Sequence, residues 1–322
     1  MPRDGCKLMV LNREKSKIDD RHFFDLTKLL RAGDVLVLNN SRVLPARLFF
    51  EFEGKKVELF LVRAIKGTEW LALGKPGKIL QPGITFTIAP DFTFEVVEVL
   101  ANDSGGQRRV RFNVAEEKLQ SLIEKYGHTP LPPYIKNSHS TPEDYQTVYA
   151  KTSGSIAAAT AGLHFTERLL ADLKKLGVRI VFVTLHVGLG TFLPIKTDEV
   201  EKHQMHSEIF ELTVEAANEL KKARKEERKI IAAGTTSVRV LESCFDKVRG
   251  FEARIGETAI FIYPGYEWKC VDGLITNFHL PQSTLLLLTC SFGGTDFVME
   301  AYRRAVLERY RFYSFGDAML IL

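Results

Sequence analysis

The chain has 322 residues, enough to bury a sizeable core and, on size alone, to form two domains. Hydrophobic residues make up 45% and charged residues 26%, which places it among globular proteins and excludes a disordered or low-complexity chain. The net charge of +4 suits a phosphate-bearing partner without requiring one.

Cys6, Cys244, Cys270 and Cys290 lie far apart and form no Cys-x-x-Cys pair. A disulfide framework or a thiolate zinc site is therefore not expected, and a reducing compartment is. The longest apolar run, residues 284–290, falls far short of the roughly 20 residues that cross a bilayer. Residues 1–6 carry no apolar stretch of signal-peptide type. A cytoplasmic protein without a membrane partner is expected.

In chain order, residues 7–11 predict a short strand. Residues 22–31 predict a helix with Phe23, Leu26, Leu29 and Leu30 on one face and Gly33 just past its end. Residues 35–38 form an apolar run that suits a buried strand. From residue 46 the texture changes to short strands at 48–52, 57–65, 70–73, 85–89, 92–99 and 108–114. Turn residues such as Gly54, Gly77, Gly83 and Gly106 separate them. Strands at this spacing predict a small all-β barrel or sandwich. A helix follows at 116–126. The proline-rich stretch 129–135 is either a plain linker or a substrate-contacting segment.

After Tyr145 the pattern alternates. Thr166 predicts an N-cap for a helix with Leu169, Leu170, Leu173 and Leu176 inward and Gly177 as its stop. A strand at 178–187 follows, then a helix from Thr213 to about Arg224. A strand at 229–233, a helix at 237–245, strands at 258–263 and 274–278, and a helix at 296–309 complete the chain. Alternation of this kind predicts an α/β sheet with packed helices. The expected fold class is thus α/β: a sandwich-like main domain, residues 1–45 and 127–322, with a small all-β barrel inserted at 46–126.

Several segments carry chemistry. Residues 160–166 follow a run of small residues that lets backbone approach a ligand, and contain His164, which is either a general base or a packed histidine. Residues 184–192 place His186, Gly188, Gly190 and Thr191 after a strand. The third glycine of a dinucleotide fingerprint is missing there, so the stretch is a weak Rossmann signal but a reasonable ligand-contacting strand end. His203, His206 and Glu208 cluster within six residues. Their spacing is a poor metal pattern, and an acid–base or hydrogen-bonding role is favoured. At 230–243 a strand, Gly234 and a hydroxyl-rich helix start present Thr235, Thr236 and Ser237, with Arg239 one turn on. Simple capping and anion binding are both open there. Asn277 and His279 stand at the end of a further strand. Polar residues at separate strand ends suggest one shared pocket, which is the basis for expecting an enzyme.

Together these stretches, with residues 33–47, 131–135, 263–266 and 310–321, resemble the S-adenosylmethionine:tRNA ribosyltransferase-isomerase family of queuosine biosynthesis over nearly the whole chain. The resemblance implies an α/β fold with an inserted barrel. It implies that S-adenosylmethionine serves as a co-substrate whose ribosyl part moves onto 7-aminomethyl-7-deazaguanine at the tRNA wobble position. The products would be epoxyqueuosine, adenine and methionine. It implies no metal and no obligate protein partner, and a monomer is expected.

Under that resemblance, His164, His186 and His279, and less strongly His206 with Glu208, are the proton-transfer candidates. Gly188, Gly190 and Thr191 would contact the nucleoside. Thr235, Thr236 and Arg239 would hold the methionine carboxylate or an RNA phosphate, and Asn277 is a further cofactor-binding candidate. Arg42, Arg47, Lys136, Arg303 and Arg311 would contact tRNA phosphates, with Tyr134 available for stacking; for each, a plain surface residue is the alternative.

Three departures stand out. Family members begin with a short segment ahead of the Pro2, Arg3 and Asp4 stretch, whose lack would weaken stability or ligand closure. Ala159 stands where proline is typical, which would loosen the loop before His164. Asn40 stands where aspartate is typical, which removes a carboxylate. Two other function classes are a tRNA-binding homologue with impaired catalysis and an S-adenosylmethionine methyltransferase; the missing glycine fingerprint speaks against the latter.

Overall fold

Val35–Asn39, Ile230–Ala233, Gly273–Asn277 and Ala318–Ile321 are strands without an exposed face, each buried along its whole length. Such continuous burial places them at the centre of a sheet covered on both sides. In the computed structural model, which describes residues 2–100, 106–131, 141–188, 190 and 199–322, they occupy the middle of a nine-stranded mixed sheet. Its order is Arg254–Thr258, Glu208–Leu212, Arg179–Leu185, Val35–Asn39, Ile230–Ala233, Gly273–Asn277, Ala318–Ile321, Lys7–Asn12, Lys17–His22. The run from Arg179–Leu185 to Gly273–Asn277 is parallel throughout. The polar strands Lys17–His22 and Arg254–Thr258 lie at the two edges. Exposed charges there discourage pairing with another chain.

A core that includes Leu8, Phe23, Leu26, Leu36, Phe165, Leu169, Leu173 and Ile275 joins this sheet to the Glu167–Leu176 helix. Thr166 caps that helix by accepting the Leu169 N–H at 3.1 Å, and Gly177 ends it in the left-handed region at φ 94°. Leu169 and Leu173 are buried, but Leu176 is 38% exposed, so the inward stripe is narrower than its leucines suggest.

The chain divides into two compact units. One contains the residues up to Ser41, Asp144–Thr152 and Ala158–Leu322, and the other Arg42–Glu143 and Ser153–Ala157. The second is a six-stranded antiparallel sheet in the order Arg47–Phe52, Lys55–Lys66, Glu69–Lys75, Arg108–Phe112, Phe92–Val99, Thr85–Ala89. Its first and last strands approach one another, so the sheet curls into a nearly closed barrel. Alternate residues fill the inside. Phe50 and Phe86 lie 5.5 and 5.2 Å from Phe94, and Phe92 lies 5.0 Å from Phe112.

The Glu116–Tyr126 helix ends at Gly127, whose N–H donates to Ile123 O at 2.8 Å. A β-carbon on Gly127 would fall inside the van der Waals shells of the Pro45 and Ile123 carbonyl oxygens. Backbone cannot step aside as a side chain can. Gly127→Ala is therefore expected to cost about 1–3 kcal/mol, read as a lower urea midpoint with an unchanged slope.

The structure corrects several sequence expectations. Instead of a helix over 22–31, His22 ends the Lys17–His22 strand, Phe23–Asp25 is a 3-10 turn and only Leu26–Leu29 is α-helical. Asp25 accepts the His22 N–H at 3.1 Å in a capping box that starts this short helical stretch, and the stretch ends where Leu30 turns extended to bury its side chain. The strand expected at 258–263 is instead Arg254–Thr258. It stops because the Thr258 hydroxyl accepts the Ile260 N–H at 3.2 Å and its carbonyl is taken by Arg239. The apolar run 284–290 belongs to the helix Thr284–Gly293. Glu208–Leu212 and Ala318–Ile321 are strands that periodicity did not reveal. No helix among the described residues is long and apolar enough to cross a membrane.

Candidate functional site

Open α/β sheets bind ligands beyond the carboxyl ends of their parallel strands. Here the chain leaves Arg179–Leu185, Ile230–Ala233 and Gly273–Asn277 on one side of the sheet, and residues just past the three ends line a single pocket. The pocket holds about 840 Å³ free of protein atoms, part of it open to solvent.

One wall is a helix start. Gly234 follows its strand with φ 89°, a left-handed conformation that glycine adopts without strain, and the helix Thr235–Cys244 begins at once. Its N-cap, Gly234, has no side chain to cap it, and Gly234, Thr235 and Thr236 bring the first-turn N–H groups and the positive end of the helix dipole to the pocket. The Thr236 hydroxyl is buried and has no hydrogen-bond partner.

Arg239, one turn further on, forms a buried ion pair with Glu208; the side chains are 7% and 3% exposed. Glu208 also accepts the Gly188 N–H at 2.8 Å, and Arg239 donates to the Thr258 carbonyl at 3.3 Å. The guanidinium charge is thus already neutralised by protein. It does not stand free for a ligand carboxylate or phosphate, although its Nε, buried and unpartnered, remains a donor. Glu208 in turn is a structural counter-ion and not a free base.

The histidines separate into two groups. His203, His206 and His279 line the pocket, whereas His164 and His186 do not. His279 is buried, and its Nε2 is held 2.7 Å from the Thr276 hydroxyl. Burial pulls its pKa down to about 4, so the ring is neutral at pH 7. His203 packs edge-on against Phe261 at 5.3 Å, and burial followed by the neighbouring His206 lowers its pKa. His206 sits against Gly190, where a β-carbon would crowd the imidazole.

His164 lies behind the pocket wall. Its Nδ1 is 3.3 Å from Cys6 Sγ and its Nε2 3.0 Å from Asn277 Nδ2, and burial lowers its pKa to about 4. Asn277 itself lines the pocket. His186 is held at the strand end by its backbone bond to Ile209, and its pKa is lowered by burial. Gly188 serves Glu208 rather than the pocket, while Gly190 lines it. Thr191 lies outside the described residues, as do Lys136 and Tyr134.

The apolar lining was not foreseen. Ile260, Phe261 and Ile262 come from the irregular stretch after Thr258, and Leu285 and Leu288 from the Thr284–Gly293 helix. In the sequence the first group read as part of a strand at 258–263 and the second only as an apolar run at 284–290 too short to cross a bilayer. No group of three or more His, Cys, Asp or Glu able to hold a metal occurs among the described residues.

The sequence departures find a place too. Asn40 accepts the Thr184 hydroxyl at 2.7 Å, an acceptor role an amide fills as well as a carboxylate. Ala159 has φ −72°, within the range proline would impose, so the backbone there keeps a proline-like path.

Of the basic residues, Arg47 is held by Glu58 at 2.6 Å and Arg311 by the buried Asp317 at 2.8 Å, whereas Arg42 and Arg303 are exposed.

A family model described as queuosine biosynthesis protein matches residues 1–321. The chain belongs to this family. Members of the queuosine biosynthesis family with similar sequences carry the name S-adenosylmethionine:tRNA ribosyltransferase-isomerase. The one from Thermoanaerobacter sp. (strain X514) is 47% identical over 322 residues, with 99% of this chain and 94% of the relative covered. The one from Desulfitobacterium hafniense is 48% identical over 324 residues, with 100% and 94% covered. The crystal structure of S-adenosylmethionine tRNA ribosyltransferase from Thermotoga maritima superposes with a TM-score of 0.56 at 37% identity, covering 100% of this chain and 94% of that one.

Proposed function

We propose that the protein transfers and isomerises the ribosyl moiety of S-adenosylmethionine onto 7-aminomethyl-7-deazaguanine at the tRNA wobble position, forming epoxyqueuosine and releasing adenine and methionine. The observation that carries the placement of S-adenosylmethionine is the polarity of the pocket. One end is an uncapped helix N-terminus with the unpaired Thr236 hydroxyl, which suits the methionine carboxylate. Apolar side chains at Ile260, Ile262, Leu285 and Leu288 suit a flat base. Buried polar atoms without partners are costly unless a ligand pairs with them, and Thr236 Oγ1, Arg239 Nε and Asn277 Oδ1 are of this kind.

The sulfonium of S-adenosylmethionine makes neighbouring C–H bonds acidic, and adenine must leave with a proton or a hydrogen bond. His279 is the favoured proton-transfer residue, because it is neutral, pocket-lining and fixed in orientation by Thr276. His206, also in the pocket but exposed, is the second candidate. His164 and His186 are set aside as direct bases. Of the described basic candidates, Arg42 and Arg303 are exposed and are the ones proposed to contact tRNA phosphates. A main α/β domain interrupted by an inserted β-barrel domain, and a cytoplasmic monomer, complete the proposal.

The test is incubation with S-adenosylmethionine and tRNA carrying the precursor base. Adenine and methionine are expected. S-adenosylhomocysteine would instead mean methylation, and tRNA binding without turnover would mean an impaired homologue. In the same assay His279→Asn is expected to lower kcat by about 10²–10⁴-fold. Thr236→Ala is expected to raise KM for S-adenosylmethionine about tenfold with kcat little changed. An unaltered His279→Asn enzyme would move the proton-transfer role to His206.

A further inference from the structure

Asn277 ends the Gly273–Asn277 strand and is 2% exposed. Its Nδ2 lies 3.1 Å from the Tyr313 carbonyl oxygen and 3.0 Å from His164 Nε2. A carbonyl oxygen can only accept, so the atom facing Tyr313 must be the nitrogen, and the amide cannot be flipped. That nitrogen carries hydrogens and no lone pair for bonding, so His164 Nε2 must be the acceptor. The imidazole proton then sits on Nδ1, facing Cys6 Sγ at 3.3 Å. What remains is Asn277 Oδ1, buried and without a partner, on a residue that lines the pocket.

We propose that Asn277 Oδ1 is a ligand-binding acceptor for a neutral N–H or O–H donor of the nucleoside, and that His164, locked as its Nδ1–H tautomer, is the positioning residue that aims it. Asn277 thus binds the substrate directly and His164 acts only through it. The surroundings favour a neutral donor. His164 and His279 are both uncharged at pH 7, and Glu208, the carboxylate that lines the same pocket, is already paired with Arg239. Among the described residues, this wall offers an ammonium no unpaired carboxylate. The buried thiol of Cys6, with its pKa pushed up to about 12 by burial first and the nearby Asp317 second, stays protonated and leaves His164 neutral. Protonation of His164 at Nε2 would set two donors against each other at Asn277, so the ring resists it.

The inference rests on the S-adenosylmethionine reading only for the identity of the ligand; the tautomer and the direction of the amide do not depend on it. Two measurements test it. The first is ¹⁵N NMR of imidazole nitrogens in the wild-type protein, with the His164 signals assigned from a His164→Gln variant. A neutral ring protonated at Nδ1 from about pH 6 to pH 8 is expected, and an Nε2–H or charged ring would overturn the proposal. The second is calorimetric titration with S-adenosylmethionine. His164→Gln, which can present its amide oxygen to Asn277, is expected to bind nearly as tightly as wild type. His164→Leu, which offers no acceptor, is expected to bind about tenfold more weakly, the worth of one buried hydrogen bond. Equal loss in both variants, or none in either, would overturn it. So would normal binding by His164→Leu with turnover abolished, since His164 would then act in the chemistry. If His164→Leu does not fold, the tautomer decides. Failure of the ribosyl-transfer reading would show separately, as absence of adenine release by an otherwise wild-type protein with the predicted His164 tautomer.

Discussion

Glu208→Ala is expected to destabilise the protein by about 3–5 kcal/mol, the usual cost of removing one partner of a buried ion pair. The guanidinium of Arg239 would be left at 7% side-chain exposure with a single carbonyl, Thr258 O, to face. The loss is dominated by that stranded charge and not by the attraction itself. A double variant, Glu208→Leu with Arg239→Met, removes both charges and is expected to regain most of the stability. Urea denaturation of the four proteins of the cycle checks this; a double variant no more stable than Glu208→Ala would refute the view that the stranded charge carries the cost. Gly188 also loses the acceptor for its N–H, so the strand end before Gly190 should loosen and weaken ligand binding even where the fold survives.

Acid destabilisation should be steep. His164 and His279 have pKa values held down to about 4 from 6.5, in each case chiefly by burial. A histidine with a depressed folded-state pKa binds its proton more readily when unfolded. The stability tied to its neutral form is therefore complete above pH 6.5 and falls as the pH drops towards 4. By about pH 5 each ring accounts for a loss of about 2 kcal/mol, and the pair for about 4 kcal/mol. Carboxylates titrate in the same window, so the informative quantity is a difference. Urea unfolding near pH 7.5 and near pH 5 should show a smaller pH-dependent loss for His164→Gln and for His279→Asn than for wild type. The same loss in all three proteins would mean that neither imidazole is kept neutral by the fold. Activity is expected to fall over this acid range, as the folded fraction falls.

Legibility differed sharply between local and distant features. The Thr166 cap and the Gly177 stop could be read from a few adjacent residues, and the helix between them is where they place it. The barrel strands Thr85–Ala89 and Phe92–Val99 were legible from their short length and the turn residues around them, and their alternation fits strands with one face inward and the other in solvent. The turn at Phe23–Asp25 was not. Its apolar spacing fits a longer helix, but the helical stretch that His22 and Asp25 cap is short, and the chain leaves it where Leu30 turns extended. Residues 258–263 read as a strand because most of them are β-branched or aromatic. Those after Thr258 leave the sheet because Thr258 turns the chain and Arg239 holds its carbonyl.

For the candidate site, the sequence by itself determined the residue types and the places where they gather. A glycine before a hydroxyl-rich helix start, histidines and an asparagine after strands, and matching blocks along the chain marked Thr235, Thr236, Asn277 and His279 as members of one pocket and pointed to the queuosine biosynthesis family. Only the tertiary structure decided what each of them faces. It joined Glu208 to Arg239, thirty-one positions apart in the chain, and so removed both from the list of free acids and cations. It set His164 behind the wall against Cys6 and Asn277, 158 and 113 positions away, rather than in the pocket. Hydrogen bonds and ion pairs act over about 3 Å whatever the separation along the chain. Residue spacing reports such pairings only within a turn of helix or a hairpin, and beyond that the fold alone assigns each polar atom its partner.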